Sequence, residues 1–150
     1  MPIKLIAAIE KDFILARADS TYGKVGEEPT KIRIKQAKQG EKEARDAYFA
    51  ELTRVSSGYF DPEIKIRQKV SFEELKRLEI SLTLIDCNIM GEDGKPLFTF
   101  KRNSEGKQYL DMNVNDFLIR FSALPPDVVD EIHEKVLEVN PSWGGTQGEK

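Results

Sequence analysis

The order of apolar periodicities along this chain predicts an α+β fold: a helix-rich single domain with two or three short strands and about four helices. Three observations predict it. Thr30 to Gln36 alternates with the period of a half-buried strand, Ile32 and Ile34 facing one way and Lys31, Arg33 and Lys35 the other. Residues 72–89 and 129–139 place apolar side chains at helical spacing. Leu97-Phe98-Thr99-Phe100 and Gln108-Tyr109-Leu110 flank Asn103-Ser104-Glu105-Gly106, the arrangement of a small hairpin. A length of 150 residues, 39% of them apolar, suffices for a core without disulfide staples. The expected division is a single globular domain over 1–143 and a flexible C-terminal tail over 144–150.

In chain order, residues 3–18 admit either one short helix or two strands, because Ile3, Leu5, Ile6 and Ile9, then Phe13, Ile14 and Leu15, fit both periods. Extended structure is favoured from Phe13 to Ala18. Asp19-Ser20-Thr21-Tyr22-Gly23 and Gly26-Glu27-Glu28-Pro29 are rich in turn formers and read as a loop. After the strand at Thr30–Gln36, a helix is expected with Gly40 as its cap. Ala44, Tyr48, Leu52 and Val55 recur along it at spacings of 4, 4 and 3, while Glu41, Lys42, Arg45 and Glu51 take the other faces. Ser56-Ser57-Gly58 ends it.

Ile64, Ile66, Arg67, Gln68, Glu73 and Arg77 then match Ile32, Ile34, Lys35, Gln36, Glu41 and Arg45 at a constant offset of 32 residues. The match predicts a second alternating, cation-faced strand before a second helix, by duplication or by chance similarity of two strand-to-helix junctions. Ser71-x-x-Glu74 reads as a capping box. The helix it opens carries one stripe through Phe72, Leu75, Leu78, Leu82, Ile85 and Ile89, and a second through Ile80, Leu84 and Cys87. Gly91 to Pro96 stops it. Beyond the hairpin, Asn113 or Asn115 caps a short helix with Phe117, Leu118, Phe121 and Leu124. Pro125-Pro126-Asp127 starts the last helix, where a proline loses no hydrogen bond. Its buried stripe is Val129, Ile132, Val136 and Val139, and Asn140-Pro141 ends it.

No arrangement of residues points to a reaction, a metal or a cofactor, so the expected class is a non-enzymatic interaction protein. One cysteine, Cys87, excludes an internal disulfide, and its apolar neighbours suit a buried thiol in a reducing compartment. The one histidine, His133, sits among Asp130, Glu131 and Glu134; with no second His and no Cys pair, it reads as part of a solvated helix face rather than a metal ligand. Gly-x-Ser-x-Gly is absent. Glu92-Asp93 reads as a turn, Gly91-x-x-Gly94-Lys95 lacks the spacing of a phosphate loop, and Asp19 to Gly23 lacks the ligands of a calcium loop. Met1 to Leu15 is too short in its apolar run for a signal peptide, and no stretch reaches the length of about 20 apolar residues of a membrane span. The expectation is a cytoplasmic protein with no membrane partner.

Charge gives two candidate surfaces. Lys31, Arg33, Lys35, Lys65, Arg67 and Lys69 would form a ladder of cations if the two alternating strands were neighbours. Like charges opposite each other would destabilise that pairing unless acids or a polyanion sat between them. A solvated sheet face is favoured over a nucleic-acid surface, since neither strand carries stacking aromatics and the net charge is -3. From Asp111 to Val139 seven acids (Asp111, Asp116, Asp127, Asp130, Glu131, Glu134, Glu138) face two bases (Arg120, Lys135). A basic face and an acidic end predict head-to-tail self-association or steering of a complementary partner.

Some features act together. Ala18-Asp19-Ser20 precedes a loop; Thr30-Lys31-Ile32-Arg33-Ile34-Lys35-Gln36 leads to Gly40-Glu41; an apolar run spans Leu82 to Ile89; Asp93-Gly94-Lys95-Pro96-Leu97-Phe98 follows. Phe117 to Leu124 then precedes Pro125-Pro126-Asp127-Val128-Val129, and the series closes on Val139-Asn140-Pro141-Ser142-Trp143. This order, over roughly residues 14–143, resembles the small tail assembly chaperones of tailed bacteriophages and prophages. The resemblance implies a helix-rich protein of the host-cell cytoplasm, without active-site residues or cofactors. Its partner would be the tape-measure protein, held while tail-tube subunits assemble around it. Phe117, Leu118, Phe121 and Trp143 would supply apolar contact to such a partner if exposed, although aromatics at helical spacing are more often core. Trp143, after a helix end, is the residue most expected at the surface. Two other classes stay open: a structural virion component such as a head–tail connector or tail protein, and a nucleic-acid-binding regulator.

Overall fold

A computed structural model describes residues 9–23, 26, 28–56 and 62–145, with the side chains of 49, 51–56, 62–72 and 145 outside the description. The N-terminal part of the strand region forms β1 (Glu10–Ile14), and β2 (Lys31–Lys35) pairs with it antiparallel, Phe13 opposite Ile32 and Asp12 opposite Arg33. Between them lies α1 (Ala16–Tyr22). The expected extension to Ala18 and the loop at Asp19–Gly23 are corrected here. The buried carboxylate of Glu131 accepts hydrogen bonds from the N–H groups of Arg17 (3.1 Å) and Ala18 (2.9 Å), satisfying the first amides of the helix from outside. Gly23, at φ 84°, then ends it in a conformation glycine adopts without a Cβ clash.

The long helix α2 (Gln39–Ser56) forms where predicted, and Ser57 and Gly58 of its expected stop lie outside the described residues. Of its predicted stripe, Ala44 is exposed and Tyr48 half-buried, and Leu52 and Val55 lie outside the described side chains; Arg45, expected on another face, is fully buried. The larger correction is α3 (Pro62–Thr83), a helix of 22 residues. Residues 64–70, expected as a second strand, are helical, so the 32-residue match is no duplication of structure, and Ser71-x-x-Glu74 lies inside a helix rather than at its start. The reason is continuity. Proline fits the first helical position, and the following Glu, Lys, Arg, Gln and Leu residues favour helix with no breaker among them. Two isoleucines two apart are too short an alternation to outweigh that.

The helix also stops earlier than predicted. Thr83 returns its hydroxyl to the Glu79 carbonyl (2.8 Å), and the chain passes directly into β3 (Leu84–Cys87), which pairs antiparallel with β2 through a bulge at Arg33/Ile34. The resulting sheet has the order β1-β2-β3. The hairpin β4 (Phe100–Arg102) and β5 (Gln108–Leu110) forms a second, two-stranded sheet, starting later than the predicted Leu97. Leu97 and Phe98 instead sit in the core, 4% and 2% exposed. The C-terminal third follows its local signals: α4 (Val114–Phe121) capped by Asn113, α5 (Pro126–Val139) starting at its proline, and the short α6 (Ser142–Gly145) after Asn140-Pro141. Gly144 and Gly145, expected in the tail, belong to α6; 146–150 lie outside the described residues.

The fold is thus α+β, with six helices and five short strands among the described residues, more than the predicted about four helices and two or three strands. The core gathers Leu15, Ile32, Ile34, Ile80, Leu84, Phe98, Phe117, Ile132, Val136 and Trp143 between the three-stranded sheet and the helices.

Candidate functional site

Two features stand out beyond ordinary packing: an apolar groove and a buried polar network. The groove, of about 640 Å³, runs between α3, β3, β5 and α4. Leu78, Leu82, Ile85, Leu110, Met112, Phe117 and Leu118 line it, together with Tyr109 and Val114, which are 41% and 73% exposed. Charged groups line it too, and they are paired with one another. Lys35 Nζ lies 2.5 Å from Glu41 Oε2, Tyr48 donates its hydroxyl proton to Glu74 Oε1 at 2.6 Å, and Arg77 reaches the same carboxylate at 3.9 Å. Burial, and then the Glu74 hydrogen bond, push the Tyr48 phenol up to about 12.

The sequence reading placed Phe117, Leu118, Phe121 and Trp143 as partner contacts. The structure brings Phe117 and Leu118 to the groove wall, with Leu118 half-buried and Phe117 only 5% exposed. Phe121 is buried in the core behind it. Trp143 is not the surface exception. It is 3% exposed, and the Arg45 guanidinium lies 5.5 Å from its ring centre. Its removal would take packing out of the core rather than a contact off the surface.

The six cations of the expected ladder are not brought together either. Lys65, Arg67 and Lys69 are on α3, and the neighbours of β2 are β1 and β3. Lys31, Arg33 and Lys35 do alternate with buried Ile32 and Ile34 as predicted. The acids that such a strand needs beside it come from its own sheet and from α2. Arg33 holds Asp12 at 2.7 Å and has Asp86 opposite on the other side, while Lys35 holds Glu41. The Arg33 hydrogen bond keeps the Asp12 carboxyl below the usual carboxylate range.

The buried network was not anticipated. Arg45 from α2 donates Nε–H to Glu79 Oε2 of α3 at 2.6 Å and Nη2–H to the Trp143 carbonyl at 3.2 Å. The other oxygen of Glu79 lies 2.5 Å from His133 Nε2 of α5. Arg45 and Glu79 are 0% exposed and His133 is 5% exposed, so the expected solvated face at His133 is corrected; Asp130 bonds Lys76 instead. A signal for this existed in the spacing. Val129, Ile132, His133, Val136 and Asn140 fall at i, i+3, i+4, i+7 and i+11, one face of a helix, which a polar residue occupies only when a partner waits opposite. Sealed from solvent, the network ties three helices together and offers no surface to a substrate.

Cys87 is half-buried on β3, and burial pushes its thiol up to about 12, the opposite of an activated nucleophile. Among the described residues no group of three or more His, Cys, Asp or Glu side chains is placed to hold a metal ion, and no helix is long and apolar enough to cross a membrane. No protein-family model, curated protein or solved structure matches the chain.

Proposed function

We propose that this chain acts by binding another protein, without chemistry of its own, as a phage tail assembly chaperone of the host-cell cytoplasm. The observation that carries the reading is the groove between α3, β5 and α4, whose lining is mostly apolar and whose charged groups are already paired within the chain. Inside a recess, charges already paired with one another leave little for a partner to gain, so affinity there rests on apolar anchors. The occupant we assign is an amphipathic helical segment presenting apolar residues at i, i+3 or i+4, and i+7. The resemblance to tail assembly chaperones names its source, the tape-measure protein. The nucleic-acid reading draws less support, because Arg33 lies between Asp12 and Asp86 and Lys35 is paired with Glu41, which among the described residues leaves Lys31 alone of the β2 cations without an acid opposite it.

Co-expression with a phage tape-measure protein tests the reading. The chain is expected to keep that partner soluble and to be absent from purified particles. Leu118→Lys, at a half-buried wall position, should cut the co-purified partner by about tenfold or more while the far-ultraviolet spectrum stays unchanged. Gene neighbours without tail proteins would sink the phage assignment, retention in particles would make the chain a virion component, and full binding by Leu118→Lys would remove the groove.

A further inference from the structure

The order β1-β2-β3 leaves β1 on the rim of its sheet. Leu15 donates its N–H to the Thr30 carbonyl (2.9 Å) and Gln36 donates to the Ile9 carbonyl (2.7 Å), in register with the pairs Lys11–Ile34 and Phe13–Ile32. Odd-numbered residues of β1 therefore turn their main-chain groups toward β2. The alternation of an antiparallel pair turns those of Glu10, Asp12 and Ile14 to the outer edge. Among the described residues no strand pairs with that edge.

The side chains of the same residues make the edge selective. A row of alternating sign crosses the sheet, Asp12, Arg33, Asp86, and a second pairs Glu10 with Lys35. Both rows reach the rim on a carboxylate, and Ile14 beside them is 52% exposed. A strand continuing these rows would present a cation at every second position. A second copy of β1 laid antiparallel over its full length would instead set Asp12 against Asp12, which like charges oppose. An edge that repels its own copy yet accepts the complementary pattern combines protection with specificity. We propose that the outer edge of β1 is a strand-addition site for an extended peptide carrying Lys or Arg at alternate positions. It is separate from the groove and does not rest on it.

The probe is a synthetic peptide with the sequence of residues 29–37, whose in-chain original already pairs with β1 in this pattern. Added in excess to the full chain, it should slow amide exchange at Glu10, Asp12 and Ile14 by about tenfold or more, and leave the amides of Met112 and Leu118 unchanged. Two further peptides, N-methylated on the odd or on the even residues, keep the charge but lose one row of donors each. One of the two must fail to protect the edge. Asp12→Pro removes an edge-facing amide and should fold yet give no protection at Glu10 and Ile14. Equal binding of both methylated peptides would reduce the effect to charge attraction and overturn the proposal, as would protection elsewhere or none at all. Should Asp12→Pro fail to fold, the methylated pair still decides. None of these results touches the Leu118→Lys experiment.

Discussion

Glu79 joins three helices through one carboxylate, taking the Arg45 guanidinium from α2 on one oxygen and facing the His133 ring from α5 on the other. Taking such groups out of water is costly, and their attraction offsets the cost only when every polar atom finds a partner. Among the described residues no buried side-chain nitrogen or oxygen lacks one. Removing one member therefore does more harm than the pair does good. Glu79→Ala should lower the unfolding free energy by about 3–5 kcal/mol in urea titration, because it strands the buried Arg45. Replacing Arg45 and Glu79 together with Met and Leu should recover part of that loss. A cost of less than about 1 kcal/mol for Glu79→Ala would mean that water reaches the site. Two other buried groups set an alkaline limit. Cys87 and Tyr48 hold their protons more tightly in the folded chain, both raised to about 12 by burial from 9.0 and 10.0. Their contribution is whole below pH 9 and is lost as the pH climbs toward 12, where the unfolded chain has already released both protons. Unfolding free energy should fall between about pH 9 and about pH 12, and Cys87→Ala should flatten part of the fall.

Among the elements, those ruled by a few adjacent residues were legible. Asn113 accepts the Asp116 N–H at 2.8 Å and starts α4, as its position before an apolar run predicts. Asn113→Ala should cost about 1 kcal/mol in chemical denaturation, and Asn113→Asp should restore most of it, since a carboxylate accepts the same hydrogen bond at a helix start. The start of α5 at Pro126 and the alternation of β2 are equally local. What failed to show was structure decided at a distance. Residues 64–70 carry the alternation of a strand, but the helix running through them decides their state. Leu84 to Cys87 continue the helical stripe of α3, yet β2 captures them as a strand. For α1, the amides of its first turn are satisfied by Glu131, more than a hundred residues away in sequence, and no window around Asp19 contains that information. The same holds for the candidate sites. Leu118 reaches the groove wall as a local helical face would suggest, whereas the β1 edge exists only because sheet order places β1 outermost.

For the whole molecule, the sequence suggests two poles, a cationic strand face and an acidic C-terminal third, and so a tendency to stack head to tail. The folded chain gives many of the described members of both an internal partner. All seven acids of the C-terminal stretch have a partner in the same chain. Asp111 holds Lys101, Asp116 bonds Asn113, Asp127 takes the Tyr22 hydroxyl, and Asp130 holds Lys76. Glu131 caps α1, Glu134 holds Arg17 and Glu138 holds Lys135. On the other side, Asp12 and Asp86 flank Arg33, and Glu41 takes Lys35. Opposite charges a few ångströms apart cancel beyond about one Debye length, roughly 10 Å at 0.1 M salt, so the ion-paired groups add little to the field of either pole, while Asp116 and Asp127, bonded to an amide and a phenol, keep theirs. The sedimentation coefficient at fixed protein concentration should therefore stay the same from about 50 mM to about 500 mM sodium chloride, a range over which a charge-driven stack would dissolve. A larger species at low salt, lost on raising it, would show that the poles survive folding and that the local pairing described here is weaker in solution than its geometry implies.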